Sequence, residues 1–184
     1  MLNNHPVCSR RTFLRSTAFA GYCALAPGRQ APAEDATGNP FRYIDVHTHM
    51  LSQAWFDLLK AKGRPRYTVK PSKDWPAPLG IYADGAPFMT PQPGHFDYEL
   101  RLKKMNEAKV DLAIVSLTAP NCYWGGPKTS LNAAQLVNDD MAAAQTAWPD
   151  RIRWFCSIPW EHEALALAEL ERATKAGAIG VMVL

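Results

Sequence analysis

The feature that most constrains the fold is a regular alternation of short apolar runs with helical stretches. VDLAIVSL (Val110 to Leu117), Ile152 to Ile158 and IGVMVL (Ile179 to Leu184) read as largely apolar strands, and Phe41 to Val46 as the first strand. Between them lie segments with helical spacing: Leu51 to Ala61, Asp97 to Ala108, Leu131 to Ala147 and Glu161 to Ala176. Strands without a polar face, each followed by a helix, are the pattern of a parallel sheet covered by helices. Gly63, Pro149 and Gly177 stand where three of the helices should stop. The expected class is α/β. Four strands of this kind, the last reaching the final residue, correspond to half of a (β/α)8 barrel. Such a barrel needs eight strands and about 250 residues. A bare apolar edge is a hazard that native sheets avoid. The expectation is therefore the N-terminal half of a (β/α)8 TIM barrel, truncated at Leu184.

The segment 64–95 breaks the rhythm. It carries Pro65, Pro71, Pro76, Pro78, Pro87, Pro91 and Pro93, with Tyr67, Trp75, Tyr82 and Phe88 interleaved. That composition is too broken for a helix and too apolar for a disordered linker. It predicts a structured loop or small β insertion, a common form for an active-site lid.

The first 33 residues are set apart by charge. They contain Arg10, Arg11, Arg15 and Arg29 and no Asp or Glu. Removing those four from the formal +3 leaves the remainder at −1. A near-neutral body argues against binding nucleic acid by its phosphates. SRRTFLR (Ser9 to Arg15), the apolar stretch Ala18 to Ala26 and Ala31-Pro32-Ala33 have the order of a twin-arginine export signal with a small-residue cleavage site. Residues 1–33 are thus expected to be a leader, 34–40 a linker and 41–184 the domain. Export by the twin-arginine machinery to the periplasm or outside the cell follows, without stable membrane insertion. Of the four cysteines, Cys8 and Cys23 fall in the leader. Cys156 reads as a buried thiol, and a Cys122–Cys156 disulfide is open in an oxidising compartment.

YIDVHTHM (Tyr43 to Met50) places His47 and His49 at i and i+2, just past the first strand. Residues two apart on a strand share a face. Two imidazoles there, at the C-terminal end where parallel α/β folds bind ligands, can take adjacent corners of one metal ion. The alternative is a pair of solvated loop histidines. A catalytic metal usually needs about three protein ligands, and neither His95 nor His162 obviously supplies one. Asn121, Tyr123 and Trp124 follow VDLAIVSL and are candidates to line a pocket at the barrel mouth, against ordinary loop packing. Asn138, Asp139 and Asp140 look acidic but lie on a helix, where one is expected to bond internally and the others to face solvent.

YIDVHTHM resembles the opening of the amidohydrolase superfamily. LRLKKMNEAKVDLAIVSL (Leu100 to Leu117), NCYWGGPKTSLNAAQLVNDDMA (Asn121 to Ala142), WPDRIRWFCSIPW (Trp148 to Trp160) and ALAELERATKAGAIGVMVL (Ala166 to Leu184) follow in order. The series is similar to the amidohydrolase-related, or aminocarboxymuconate-semialdehyde decarboxylase-like, branch. The resemblance implies a TIM-barrel enzyme, a hydrolase or carboxy-lyase, acting on a small organic acid through water activated by one divalent metal, zinc or manganese. It carries His47 and His49 over as metal ligands and puts the remaining ligands and catalytic residues beyond Leu184. Asp45 becomes a supporting residue. The implied partner is a small-molecule substrate, with a homodimer allowed. A cation for a substrate carboxylate would come from Arg64, Arg66, Lys70 or Lys73, none in a matching motif. The competing readings are an exported non-catalytic binding protein and a phosphoesterase or nuclease barrel with the same histidine pair.

Overall fold

The computed structural model describes residues 43–72 and 78–183, and the expected leader and linker lie outside them. The described chain begins with β1 (Ile44–His49), α1 (Gln53–Lys62), β2 (Tyr67–Pro71), β3 (Leu79–Ala83), β4 (Ala86–Met89) and a 3-10 turn at Pro93–His95. It continues with α2 (Tyr98–Ala108), β5 (Leu112–Ser116), α3 (Pro127–Ala147), β6 (Ile152–Cys156), α4 (Glu163–Lys175) and β7 (Gly180–Val181). β1, β5, β6 and β7 form one parallel sheet in that order. Neighbours in sequence order that pair in parallel through helices are the βα repeat of a barrel wall.

Burial along the strands differs from the continuous pattern read from sequence. Ala113, Val115, Ile152, Trp154 and Cys156 are buried on one face, whereas Leu112, Ile114, Arg153 and Phe155 on the other are only half-buried. Paired residues of a parallel ladder share a side, and Ile114 pairs with Arg153 while Val115 pairs with Trp154. The helices therefore cover the Val115–Trp154 face. The largely apolar composition of the strands therefore spans two faces with different neighbours.

Local chemistry sets the helix ends. Ser52 accepts the Trp55 N–H at the start of α1 and Asp97 accepts that of Leu100 at the start of α2, as N-caps do. α1 buries Trp55, Phe56 and Leu59. Gly63 ends it by close approach rather than by a left-handed turn. Its φ is −70°, and a Cβ there would lie 2.6 Å from the Leu59 carbonyl. At the end of α4 the left-handed Gly177 (φ +104°) donates to Thr174 while Ala178 donates to Ala173, the paired bonds of a Schellman motif. α3 starts four residues before the expected Leu131, because Pro127 follows the Gly126 cap and suits a first helical turn.

Part of the Pro-rich segment forms a separate antiparallel sheet, β2–β3–β4, the small β insertion allowed by its composition. Tyr67 and Ile81 bury their side chains under it.

Candidate metal centre

β1 runs three residues further than the sequence suggested, so His47 and His49 end the strand instead of following it. Its ladder to β5 is irregular. Asp45 pairs with Ala113 and Thr48 with Val115, so three steps on β1 oppose two on β5. This is a β-bulge, a device that re-aims side chains at a strand end. The Asp45 carboxylate accepts the His47 N–H at 3.1 Å and braces it. Past the bulge, His49 pairs with Ser116, on the face away from Val115. The two imidazoles sit with ring centroids 4.8 Å apart, edge to face at 76°.

His47 is exposed and His49 half-buried. The Nδ1 of His49 lies 3.3 Å from the Ser116 carbonyl and 3.2 Å from its hydroxyl. A carbonyl only accepts, so that contact is a hydrogen bond when Nδ1 carries the proton. Nε2 then keeps its lone pair, the form a metal requires. Burial lowers the pKa of His49 from its ordinary value, against the opposing effect of the Ser116 carbonyl, and this favours neutral imidazole.

The residue that sequence reading missed is Arg101 on α2. Its Nη1 donates to Thr48 Oγ1 at 2.6 Å and its Nη2 to the His49 carbonyl at 2.9 Å. No local motif marks an arginine 52 positions from its partner. His95, in the 3-10 turn, packs nearby. Its carbonyl accepts the Leu51 N–H and its Nδ1 the Gln92 N–H. Burial, then the charge of Arg101, then that of His49 lower its pKa.

The cations considered for a substrate carboxylate lie elsewhere. Arg66 faces Asp84 at 4.0 Å, Lys70 sits over the Tyr82 ring, Arg64 is exposed, and Lys73 is outside the described residues. Asn121 and Trp124 are buried, and their polar atoms hold the loop after β5. Asn121 donates to Leu117 and accepts from the Cys122 N–H, and its carbonyl takes both the Trp55 and Trp124 indoles. Tyr123 instead lines a cavity of about 320 Å³ with Trp160, Glu161 and Val183. These residues follow β5, β6 and β7, at the same end of the parallel sheet as the histidines. His162 caps α4 without a side-chain cap bond.

Asn138 is fully buried and binds both the N–H and the carbonyl of Ser157, as well as Glu169. Asp139 pairs with Arg172. Asp140 is half-buried beside Tyr98 instead of facing solvent, and burial raises its pKa. Cys122 and Cys156 are buried free thiols, so the disulfide does not form.

The histidine pair fits a metal in donor type and in shared face. Among the described residues no group of three His, Cys, Asp or Glu side chains converges closely enough to hold an ion. The pair would supply two corners of a coordination sphere.

No family model matches the chain. It is 34% identical over 120 residues to the 2-amino-3-carboxymuconate-6-semialdehyde decarboxylase of Caenorhabditis elegans, covering 64% of this chain and 29% of that protein. Its fold matches the crystal structure of a 5-carboxyvanillate decarboxylase from Sphingomonas paucimobilis with a TM-score of 0.59 and 25% identity, over 76% of this chain and 42% of the other. A dihydroxybenzoic acid decarboxylase from Polaromonas, solved with bound manganese and an inhibitor, matches with a TM-score of 0.53 and 25% identity, over 77% and 38% of the two chains. The chain thus spans about a third of the length of the curated relatives it matches, and its sheet is part of a barrel. The ordered motifs, the parallel βα wall and these likenesses make the chain similar to the amidohydrolase superfamily, and within it to the aminocarboxymuconate-semialdehyde decarboxylase-like branch.

Proposed function

We propose that the intact protein is a metal-dependent carboxy-lyase acting on a small unsaturated or aromatic carboxylic acid. The observation that carries this is the His47–His49 pair, two imidazoles on one face at the C-terminal end of β1, 4.8 Å apart. The names of the relatives, all decarboxylases, favour lyase chemistry over a nuclease or a binding protein. His47 and His49 would hold one divalent ion, manganese or zinc, which when bound polarises a substrate oxygen or lowers the pKa of a water. The Ser116 carbonyl keeps the His49 proton on Nδ1 and so presents Nε2. Tyr123 and Trp160 offer aromatic surface to a flat substrate in the cavity beyond β5 and β6. Burial pushes the Tyr123 hydroxyl up to about 12, so near neutral pH it is a protonated donor. Export through a twin-arginine leader at residues 1–33 belongs to the same proposal.

The test is His47→Ala/His49→Ala in the intact protein. Bound metal, measured by elemental analysis, and release of carbon dioxide from aromatic carboxylates should disappear together, with the urea midpoint little changed. Stoichiometric metal retained in that variant refutes the ligand assignment.

A further inference from the structure

We infer that Arg101 is a positioning residue for the histidine pair, fixing the bulged end of β1 from behind so that the two imidazoles stay convergent. The inference rests on the reading of His47 and His49 as metal ligands. Thr48, between them, points to the opposite face and is almost fully buried, at 8% exposure. Arg101 reaches that face from α2. One arm of its guanidinium takes the Thr48 hydroxyl and the other the His49 carbonyl. One planar group therefore restrains both a side chain and the main chain in the residues carrying the imidazoles.

The need for such a restraint is local. The ladder between β1 and β5 lapses between Asp45 and Thr48, and a bulged terminus lacks the regular bonds that orient a strand. What replaces them is Asp45 on the His47 N–H, Ser116 on the His49 ring and the Arg101 fork. A lysine could not reproduce the fork, because an ammonium is a point donor without fixed geometry. The remaining Arg101 nitrogen, Nε, is buried without a partner. The side chain is held there despite that cost.

Charge alone predicts the opposite sign. A guanidinium beside an ion site repels a metal cation and lowers its affinity. Its positive charge also lowers the proton affinity of His49 and His95. If Arg101 acted only through its charge, a neutral replacement would tighten metal binding. If it acts by position, the same replacement weakens binding.

The experiment compares Arg101→Gln, Arg101→Lys and Thr48→Val with the wild type, each in the intact protein. The readouts are Mn²⁺ affinity by calorimetry, the visible spectrum after Co²⁺ loading, and the urea midpoint. Supporting residues around metal ligands typically contribute about ten- to hundredfold in affinity. Both Arg101 variants should lose Mn²⁺ affinity by about that factor, with an altered Co²⁺ spectrum. Thr48→Val, which leaves the bond to the His49 carbonyl, should lose less in the same direction. Tighter Mn²⁺ binding by Arg101→Gln, or wild-type affinity and spectrum in Arg101→Lys, overturns the inference. Should both Arg101 variants fail to fold, wild-type Mn²⁺ affinity and spectrum in Thr48→Val overturns it. His47→Ala/His49→Ala separates the two claims. If that variant keeps the metal, the ligand reading fails and this inference falls with it. If it loses the metal while the Arg101 variants bind as wild type does, only the positioning role fails.

Discussion

Replacing Arg172 with Met should destabilise the protein by about 3 kcal/mol, and the reason lies in Glu169. The Glu169 side chain is completely buried. It accepts Arg172 Nε and Nη2, each at 2.8 Å, and Asn138 Nδ2 at 2.7 Å. Breaking a buried ion pair from one side costs about 3–5 kcal/mol, because the remaining charge stays in a poor solvent. Arg172 itself is 38% exposed, so water can enter beside the carboxylate, and the low end of that range applies. Its second contact, with Asp139, is at the surface and adds about 0–1 kcal/mol. The double variant Glu169→Met/Arg172→Met removes the buried charge altogether, and Asn138 keeps its two bonds to Ser157. Apolar replacement of both partners is often near neutral, so the double variant should lie within about 1 kcal/mol of wild type and recover about 2 kcal/mol of the loss in Arg172→Met. Urea unfolding followed by tryptophan fluorescence measures this directly, since the buried Trp154 sits on the neighbouring β6. A loss below about 1 kcal/mol in Arg172→Met, or a double variant no more stable than Arg172→Met, would refute the argument.

Two further outcomes follow from the loop after β5 and from the half-buried histidines. Asn121→Ala should cost about 3 kcal/mol by the same urea assay, because it orphans the buried Cys122 N–H and puts Ala at φ +52°; Asn121→Gly should recover about 1 kcal/mol of that. His49 and His95 both have lowered pKa values in the folded chain, mainly through burial. The unfolded chain then binds protons first, so metal-free stability should be full above the ordinary value of 6.5 and fall as pH drops below it. His95→Gln, whose amide oxygen can still accept the Gln92 N–H, should flatten part of that slope below pH 6.5; an unchanged slope would contradict the assignment.

What could be read along the chain was whatever is written in local order. The βα alternation, the α4 stop at Gly177 and the strand-end position of His47 and His49 depend on neighbours a few residues away. Burial of the two sheet faces was not legible, since Leu112 and Ala113 are both apolar and only the covering helices distinguish them. The fate of Asn121 and Trp124 was equally hidden. A polar residue and an indole after a strand suit a pocket wall as well as they suit a buried clasp, and the decision lies with Trp55, 66 residues earlier. Arg101 was invisible for the same reason, since its partners Thr48 and His49 lie more than fifty residues earlier. Asp140 differed from expectation because Tyr98, from another helix, covers it.

The two free thiols give the protein an internal clock. Cys122 donates to the Ile158 carbonyl at 3.2 Å, across the loops that follow β5 and β6, and burial pushes its thiol up to about 12 and that of Cys156 up to about 11. Only thiolates attack alkylating reagents or disulfides. At neutral pH the buried Cys122 thiol stays protonated while the chain is closed. Alkylation at that sulfur is therefore expected to follow separation of the two loops, so its rate would time how often the C-terminal end of the sheet comes apart. In a chain with Cys8 and Cys23 replaced by serine, an ordinary thiol reagent becomes a reporter of breathing at the face where the histidines lie.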